Sequence, residues 1–332
     1  MKKYNIAIVG ATGLVGRTFL KVMEENKIEV NNLYLYASIR SVGTTINYLG
    51  KEYKVEAIEN ASFTGVDYCL FSAGASVSEK YAKKFAENGA IVIDNSSFYR
   101  MDKNCPLIIP EINIEDSKIG NLIANPNCST IQSVLPLYYL DQEFDLKRVI
   151  YTTYQSVSGS GLKGINDLKR CISGLKNEFY PYDISKTCIP EIDSFLDNYY
   201  TKEEMKMVNE TRKILHKDDL LISATCVRVP VEKSHAVSIL AEFNKEITVD
   251  KARECLRNKK GIVLADDPFN HIYPLSTMSN DNDMVYVGRI RKDLSSPNGL
   301  LLYTTADNVR KGAASNAVEI MIDLMKEREM KC

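Results

Sequence analysis

The pattern of hydrophobic and polar positions differs between two regions of the chain. In residues 1–126, short apolar runs such as "YNIAIVG" alternate with stretches such as "LVGRTFLKVMEE", in which apolar residues recur every three or four positions. The runs predict buried strands and the periodic stretches predict amphipathic helices. Strands that alternate with helical crossovers pair in parallel, so we expect a doubly wound parallel sheet in this region.

The region after residue 126 has longer strands with alternating polarity. Examples are "RVIYTTYQSVS", "LLISATCVRVPV", "HAVSILAEF" and "GLLLYTTAD". They predict a mixed, largely antiparallel sheet with one covered face. The tail "NVRKGAASNAVEIMIDLMKEREMKC" predicts a helix, because its apolar residues are three or four positions apart. These are Val309, Ala313, Ala317, Ile320 and Leu324.

Charge and cysteine content exclude several classes of protein. The 332 residues include 42 Lys and Arg against 43 Asp and Glu, so no basic field indicates nucleic-acid binding. The apolar run in "MKKYNIAIVG" is too short for a signal peptide or a membrane span. The eight cysteines contain no C-x-x-C pair, so we expect reduced thiols in a cytoplasmic protein, with no disulfide frame and no metal site.

The turn between the first predicted strand and helix, "GATGLVG", carries Gly10, Gly13 and Gly16 at three-residue intervals. Glycines at such a turn allow a tight bend and let backbone N–H groups approach a pyrophosphate at the helix N-terminus. The spacing is G-x-x-G-x-x-G and not the commoner G-x-G-x-x-G, so a plain tight turn is the alternative interpretation. The motif favours a dinucleotide site.

The end of the second predicted strand distinguishes NADP from NAD. NAD-binding domains usually carry an acidic residue there, which binds the ribose 2′-hydroxyl group. This strand ends in "ASIRSVG", which offers Ser38, Arg40 and Ser41 and no carboxylate. A guanidinium and hydroxyl groups suit a 2′-phosphate, so we predict NADP as the cofactor. The alternative is that Arg40 is a solvated loop residue.

The segment "NPNCST", residues 125–130, places Cys128 between an apolar run that Pro126 ends and a predicted helix. In the first turn of a helix, unpaired N–H groups and the helix dipole favour a thiolate. Free cysteines are also among the most buried residues and most are inert, so a small core residue is the alternative. The predicted domain boundary lies beside Cys128, and ligand clefts tend to lie at such boundaries.

His235 and Arg228 are the candidate partners of a cysteine nucleophile. The other histidines have simpler explanations, since His216 ends a predicted helix and His271 lies in a loop. Arg228 ends one predicted strand and His235 opens the next, and we expect a hairpin-like connection to bring them to one end of the sheet. Cysteine, histidine and arginine together suit covalent chemistry on an anionic substrate.

Other polar residues lie at strand ends or on one face of a helix. Arg100 follows the strand "AIVIDNSS", at the sheet edge where ligands bind in open α/β folds, and Gln155 lies at a strand end in the second region. The helix "TKEEMKMVNETRKILH" aligns Lys206, Glu210 and Lys213 on one face. The ordinary explanation of that alignment is a solvated ion-pair face.

Nine segments in consistent order carry a family resemblance. They are "GATGLVG", "ASIRSVG", "FSAGASVS", "DNSSFYRMD", "NPNCST", "YQSVSGSG", "NETRKIL", "CVRVPVEKSHAVS" and "DNVRKGAASNAV". With them the chain resembles aspartate-β-semialdehyde dehydrogenase over essentially its whole length. The resemblance implies an α/β fold with a Rossmann-like NADP-binding domain, residues 1–126, completed by a C-terminal helix, 309–329. It also implies a glyceraldehyde-3-phosphate-dehydrogenase-like α+β catalytic and dimerisation domain, 127–308, and a homodimer, with a tetramer left open.

The resemblance further implies the reaction and the roles of individual residues. The reaction is the reversible, NADP-dependent, phosphorylating oxidation of L-aspartate 4-semialdehyde to 4-phospho-L-aspartate, in lysine (diaminopimelate), threonine and methionine biosynthesis. Cys128 resembles the nucleophile, His235 the acid/base, and Gln155 the residue that orients the acyl intermediate. For the substrate, Arg228 and Glu210 resemble the groups that hold the carboxylate and amine, and Arg100 and Lys213 the phosphate ligands, with Asn127 close by.

The cofactor-binding residues implied by the resemblance form a larger set. They are Gly10, Thr12, Gly13, Leu14, Val15, Ser38, Arg40, Ser41, Ser72, Ala73, Gly74, Ser158, Gly159 and Asn308.

Two other interpretations stay open. N-acetyl-γ-glutamyl-phosphate reductase uses the same combination of Rossmann domain, cysteine and histidine, but Glu210 and Arg228 suit an unacetylated amino acid. The second is a catalytically inactive NADP-binding protein, and the intact pair Cys128 and His235 argues against it.

Overall fold

The computed structural model describes residues 2–330. They form two compact units. Unit 1 contains residues 2–126 and 313–330, and unit 2 contains residues 127–312. The β-strands are β1 (Tyr4–Val9), β2 (Val30–Ala37), β3 (Thr45–Tyr48), β4 (Lys51–Ala57), β5 (Tyr68–Phe71), β6 (Ile91–Asp94), β7 (Leu122–Ala124), β8 (Leu146–Gln155), β9 (Leu221–Arg228), β10 (His235–Phe243), β11 (Ile262–Leu264), β12 (Val285–Lys292) and β13 (Gly299–Ala306). The α-helices are α1 (Leu14–Glu25), α2 (Ala75–Glu87), α3 (Pro110–Asn113), α4 (Cys128–Phe144), α5 (Gly161–Ile172), α6 (Lys202–Leu215), α7 (Val249–Leu256), α8 (Ser276–Ser279) and α9 (Ser315–Met330).

Unit 1 is built on a seven-stranded sheet in the order β3-β4-β2-β1-β5-β6-β7. The pairs from β4 to β7 are parallel, which confirms the predicted doubly wound sheet. Strand β3 pairs antiparallel with β4, and this edge hairpin was not predicted. Its two turn residues, Leu49 and Gly50, both have positive φ, as a tight hairpin turn requires.

The predicted C-terminal helix belongs to the core of unit 1. The segment Arg310–Ala314 has π-helical geometry and is followed by α9. Ala317, Ile320 and Leu324 of α9 are buried in one hydrophobic cluster with β1, β2 and α1. The periodicity of these three positions is therefore explained by their packing in the core of unit 1. Cys332, at the end of the predicted helix, lies outside the described residues.

Unit 2 is built on a six-stranded sheet in the order β11-β12-β13-β10-β8-β9. The pairs β12–β13, β13–β10 and β10–β8 are antiparallel, and β11–β12 and β8–β9 are parallel. This confirms the predicted mixed, largely antiparallel sheet. Along β8, Val149, Tyr151 and Thr153 are buried, whereas Ile150 and Tyr154 are exposed. Helices α4 and α6 pack on the buried side.

The predicted hairpin between Arg228 and His235 is wrong. Strands β9 and β10 do not pair with each other, because β8 lies between them, parallel to β9 and antiparallel to β10. Arg228 and His235 nevertheless reach the same end of the sheet, beside Gln155 at the end of β8. The expected proximity is correct and its cause is different: a third strand separates the two.

None of the helices within residues 2–330 is long and apolar enough to cross a membrane. The same residues contain no group of three or more His, Cys, Asp or Glu side chains placed to hold a metal ion.

Candidate active site

Cys128 is the first residue of helix α4. Asn127 caps this helix, since its side-chain oxygen Oδ1 accepts hydrogen bonds from the backbone N–H groups of Ser129 (2.9 Å) and Thr130 (3.3 Å). The cap fixes the start of the helix, where the dipole favours negative charge. Cys128 is therefore in a position that stabilises a thiolate.

The other described cysteines have different surroundings. Cys188 is exposed, and five more are buried: Cys69, Cys105, Cys171, Cys226 and Cys255. Burial raises the pKa of the Cys69 and Cys226 thiols well above the ordinary value and raises that of Cys255 to about 12. Cys128 is half-buried. Among the described cysteines it alone begins an α-helix, which distinguishes it from the inert buried thiols.

Gly312 lies directly against Cys128. A Cβ atom added at position 312 would be 2.7 Å from Cys128 Cβ, closer than real side chains approach one another. The absence of a side chain at Gly312 therefore makes the space that the cysteine occupies. Sequence reasoning did not single out this glycine, although it lies within the segment "DNVRKGAASNAV".

Glu203 of helix α6 connects two predicted site residues. Its Oε1 accepts hydrogen bonds from Asn127 Nδ2 (2.8 Å) and from Gln155 Nε2 (3.0 Å), and its Oε2 pairs with Lys206 Nζ at 3.0 Å. Burial opposes the charge, but Lys206 and the two amide donors outweigh it and lower the pKa of Glu203 to about 2. Glu203 is thus ionised and acts only as an acceptor. It therefore fixes the orientation of the Asn127 and Gln155 side-chain amides, because each must direct its NH₂ group to Glu203.

Glu210, about two turns further along the same side of α6, is also buried. Its Oε2 accepts the backbone N–H of Asn127 at 2.6 Å. The solvated ion-pair face that the alignment of Lys206, Glu210 and Lys213 suggested is therefore wrong for Glu210, because this carboxylate contacts the residue before the cysteine. Lys213 is half-buried on α6.

His235 is fully buried at the start of β10. Its Nδ1 accepts the backbone N–H of Ser156 at 3.0 Å, and Ser156 Oγ lies 2.9 Å from the same nitrogen. Burial lowers the pKa of His235 to about 3; the Arg228 charge adds to this effect and Glu203 opposes it. The imidazole is therefore neutral at physiological pH.

Arg228 ends β9, and its side chain is buried near His235. Its Nη1 donates to the backbone oxygen of Ser156 at 2.7 Å. Gly159 leaves room beside both basic side chains: a Cβ at this position would be 2.8 Å from Arg228 Nη1 and 3.1 Å from His235 Nε2. A chain of contacts thus runs from Asn127 through Glu203 and Gln155 to Ser156, His235 and Arg228.

Asn308 and Ser158, both predicted as cofactor-binding residues, lie around His235 in unit 2. Asn308 Oδ1 accepts hydrogen bonds from Ser156 Oγ (3.1 Å), Ser158 Oγ (2.9 Å) and the backbone N–H of Ser234 (3.0 Å). These contacts join the loop after β8 to the residue before His235. Glu203, Ser156 and Ser234 were missed from the sequence, because their importance comes only from these long-range contacts.

Arg100 belongs to unit 1, where it is buried near the end of β6. Its Nη2 donates to the backbone oxygen of Asn95 at 2.9 Å. Asp94, at the end of the same strand, binds Ser96 and Ser78. The predicted strand-end position of Arg100 is therefore correct.

A cavity of about 480 Å³ opens in unit 1 at the carboxyl ends of the central strands. Its walls include Gly10, Thr12, Gly13, Ser38, Ser72 and Ala73 from the predicted cofactor set, together with Ile58, Glu59, Lys80 and Tyr81. Gly10 is essential to its shape, since it has φ +90° and a Cβ there would be 2.3 Å from the Ser72 backbone oxygen. Polar backbone, hydroxyl groups and an apolar wall suit a dinucleotide.

Other residues of the predicted cofactor set in unit 1 lie outside that wall. Leu14 and Val15 begin helix α1, Gly74 is the N-cap of α2, and Arg40 and Ser41 lie in the 3₁₀ segment Ile39–Ser41. Thr12 Oγ1 donates to Ser41 Oγ at 3.2 Å, which ties this segment to the glycine-rich turn. Arg40 is exposed on the segment.

Two family models define the class of the protein. Residues 5–119 match the model described as semialdehyde dehydrogenase, NAD binding domain, and residues 136–311 match semialdehyde dehydrogenase, dimerisation domain. The two units thus correspond to the architecture of the semialdehyde dehydrogenases: an NAD(P)-binding domain and a dimerisation domain.

Individual relatives narrow the class. The chain is 49% identical to aspartate-semialdehyde dehydrogenase of Aquifex aeolicus, an alignment that covers 98% of each chain. It is 43% identical to the enzyme of the same name from Bacillus subtilis, over 97% of each chain. The crystal structure of aspartate semialdehyde dehydrogenase II from Vibrio cholerae complexed with ASA is 41% identical, has a TM-score of 0.94, and matches over 98% of this chain and 99% of that one. The chain belongs to the aspartate-semialdehyde dehydrogenase family and is an oxidoreductase of amino-acid biosynthesis, which confirms the resemblance carried by the nine segments.

Proposed function

We propose that this protein catalyses the reversible, NADP-dependent, phosphorylating oxidation of L-aspartate 4-semialdehyde to 4-phospho-L-aspartate through a cysteine thioester. In the direction of reduction it would supply lysine, through diaminopimelate, as well as threonine and methionine. The observation that carries the proposal is the capped N-terminus of α4, where Cys128 begins the helix and Asn127 is bound through Glu203 to Gln155.

Cys128 is the nucleophile of the proposed reaction. In reduction its thiolate attacks the acyl carbon of the acyl phosphate, a C–S bond forms, the C–O bond to phosphate breaks, and phosphate leaves with the electron pair. NADPH, when bound, supplies a hydride to the acyl carbon, and NADP accepts it in the reverse direction. The tetrahedral oxyanion then expels the Cys128 thiolate. The dipole of helix α4 supports the negative charge on sulfur.

The substrate would be held by charged groups of both signs. Arg228 is a buried cation next to His235 and suits the α-carboxylate, whereas the buried carboxylate Glu210 suits the α-ammonium group. Arg100 and Lys213 are the proposed ligands of the phosphate. Gln155 is the proposed orienting group for the acyl intermediate, and its bond to Glu203 supports a fixed orientation.

We propose NADP, in preference to NAD, as the cofactor. The support is chemical: the end of β2 offers Ser38, Arg40 and Ser41 and no carboxylate for a 2′-hydroxyl group. The cavity of unit 1, with Gly10, Thr12 and Gly13 in its wall, fits the pyrophosphate and ribose of a dinucleotide. The other members of the predicted set, including Ser158, Gly159 and Asn308, stay proposals for the same cofactor.

We also propose a homodimer. The match of residues 136–311 to a dimerisation domain supports it. Ile150 and Tyr154 of β8 are 36% and 38% exposed on the sheet face opposite α4 and α6, and such apolar exposure on a sheet is typical of an interface. Sedimentation of the purified protein measures the assembly directly.

The deciding experiment follows NADP reduction by the purified protein with aspartate semialdehyde, with and without phosphate. We expect turnover that requires phosphate and that the Cys128→Ala variant lacks. N-acetyl-glutamate semialdehyde is the matched control, because it removes the free amine that Glu210 is proposed to bind. Preference for the acetylated substrate would assign the protein to the reductase, and no turnover with either would support an inactive NADP-binding protein.

A further inference from the structure

The side-chain amide of Gln155 is held at both of its polar atoms. Thr153 Oγ1 donates to Gln155 Oε1 at 2.9 Å, and Gln155 Nε2 donates to Glu203 Oε1 at 3.0 Å. Thr153 and Gln155 are both buried, and they lie on the same face of β8 because they are two residues apart. The amide is therefore fixed in one plane between a strand residue and a helix residue.

Glu203 selects the orientation of this amide. A half-turn of the Gln155 amide would exchange its oxygen and its NH₂ group. Thr153 tolerates either orientation, because a hydroxyl group can donate or accept. An ionised carboxylate can only accept, so the reversed amide would place Oε1 against Glu203 Oε1, acceptor against acceptor.

The charge of Glu203 is itself secured by its surroundings. Lys206 Nζ lies 3.0 Å from Glu203 Oε2 and 2.9 Å from Asp193 Oδ2. Burial raises the pKa of Glu203, but Lys206 and the amides of Asn127 and Gln155 outweigh it and lower the pKa to about 2. Glu203 therefore stays a pure acceptor at physiological pH.

One hydrogen of Gln155 is left over in this arrangement. Nε2 carries two hydrogens, and Glu203 Oε1 accepts one of them. Among residues 2–330, the second hydrogen has no acceptor. Gln155 is only 1% exposed. An unpaired buried N–H is costly, and it is typically a group that binds a ligand.

Glu204, the next residue of α6, shows what a purely structural glutamate looks like. It is also buried and also accepts two hydrogen bonds, from the backbone N–H groups of Thr201 (2.7 Å) and Cys226 (3.1 Å). With Thr201 it forms the capping box of α6. Both donors are backbone groups, so Glu204 stabilises the helix start and orients no side chain of the candidate site.

We propose that Glu203 is a positioning residue of the active site, which holds Gln155 so that an Nε2–H donor, and not Oε1, faces the acyl intermediate. The inference rests on the proposed function and deepens the role of Gln155 in it. A donor in this position stabilises the negative charge that develops on the acyl oxygen, whereas Oε1 there would oppose it. Glu203 acts through Gln155 and does not touch the substrate.

The first test compares Glu203→Gln with the matched control Glu204→Gln. At position 203 the new amide should direct its oxygen to Lys206 and its NH₂ group to Gln155, which favours the reversed Gln155 amide. We expect kcat to fall by about 10²-fold, with the KM for NADP unchanged. Glu204→Gln should lower stability to denaturant and keep kcat. Equal losses of kcat in the two variants, or normal kcat in Glu203→Gln, would overturn the proposal.

The second test repeats the Glu203 substitution in the Gln155→Ala background. If Glu203 acts through Gln155, most of the kcat loss caused by Glu203→Gln should disappear once the amide is absent, because the two substitutions remove the same interaction. Circular dichroism checks that each variant is folded. A merely structural role predicts losses that multiply, and that result would refute the positioning role.

The third test is NMR of the wild-type protein labelled with ¹⁵N-glutamine, which needs no variant at Glu203. The glutamines of the chain are Gln132, Gln142 and Gln155. Gln142 is exposed and supplies the reference signal. We expect one Nε2 proton of Gln155 to lie downfield of that reference, since it is bonded to a carboxylate, and the pair to vanish in Gln155→Ala. Both protons at the reference position would contradict the assigned orientation.

The outcomes separate this inference from the proposed function. A wild-type protein that does not turn over aspartate semialdehyde would overturn the proposed function and, with it, the catalytic consequence of the Glu203 contact. Normal wild-type turnover with equal losses in the Glu203 and Glu204 variants would overturn the positioning role alone. The NMR experiment requires neither cofactor nor turnover, so it decides the orientation of the amide in every case.

Discussion

The cavity of unit 1 and the polar cluster of unit 2 are formed by different kinds of groups. The polar cluster consists of Asn127, Gln155, Ser156, Glu203, Glu210, Arg228 and His235. The cavity is formed mainly by backbone and small side chains at consecutive strand ends, with Gly10 packed on the Ser72 backbone. The cluster is formed by large buried side chains from distant parts of the sequence. Ser156 and His235 are 79 residues apart, and Asn127 and Glu210 are 83 apart.

This difference predicts that the two sites respond differently to amino-acid substitutions. A site formed by backbone atoms tolerates changes in the charge of nearby side chains. It does not tolerate an added Cβ atom where two backbone segments are in contact. A site made of buried, hydrogen-bonded side chains tolerates little change of charge, because each partner left unpaired in the interior is costly. Four substitutions test the comparison, two in each unit.

The largest expected effect is in unit 2, at the nucleophile. Cys128→Ala should abolish turnover in both directions, because no other group can form the thioester. The exposed Cys188 provides the matched control, and Cys188→Ala should keep wild-type activity. Both variants are assayed by NADPH absorbance. Turnover by the Cys128 variant would contradict the covalent mechanism and return this residue to an inert role.

The next effect is on stability, at Glu203. Because its pKa is lowered from 4.5 to about 2, the folded state gains about 3 kcal/mol from the ionised form at neutral pH. Glu203→Gln should lose an amount of this order. The gain is present above the unfolded pKa and is lost as pH falls through the folded value, so the gap between wild type and variant should be constant above pH 5 and shrink below pH 4.5.

Denaturant unfolding at a series of pH values measures that gap. Glu191→Gln is the control, since Glu191 is exposed and its replacement should change the free energy of unfolding little. A gap for Glu203→Gln that grew on acidification would show that the sign of the linkage is wrong.

In unit 1, Gly10→Ala should raise the KM for NADP by about 10²-fold, because the backbone that we propose to contact the dinucleotide must shift. The control variant Gly65→Ala separates the effect of the steric clash at position 10 from the effect of backbone strain. Gly65 also has positive φ, +74°, but a Cβ there would have no neighbour within 4 Å. Both variants pay for the strained φ, so equal binding of NADPH by the two, measured by fluorescence, would contradict the role assigned to close packing.

The smallest effect is expected at Arg40. Arg40→Ala should raise the KM for NADP about tenfold, as for one lost hydrogen bond to a charged group, and leave the KM for NAD unchanged. NAD is the internal control, because it lacks the 2′-phosphate. Equal changes for both dinucleotides, or a wild-type preference for NAD, would refute the assignment of Arg40 to that phosphate.

The same contrast explains what could be predicted from the sequence. The glycine-rich turn, the helix α1 and the first residue of α4 are local features, and their patterns lie within a few residues of one another. The strand order of unit 2 is not local. The hairpin predicted for Arg228 and His235 was wrong because the sequence does not tell which strand lies between β9 and β10.

Glu203 and Lys206 show a second limit. On a helix, a glutamate and a lysine three residues apart are usually a solvated pair, and only burial against Asn127 and Gln155 gives Glu203 its role. Family resemblance supplied the residues, and the structure supplied the contacts that hold them.

Unit 1 is formed by two separate segments of the chain, and this has a consequence for folding during translation. The ribosome makes residues 127–312 before it makes α9, yet α9 contributes Ala317, Ile320 and Met321 to the core of the sheet begun at Tyr4. During translation the strands of unit 1 therefore emerge before the residues of α9 that complete their hydrophobic cluster. Unit 1 therefore completes its hydrophobic core only at the end of synthesis, when the ribosome reaches the helix.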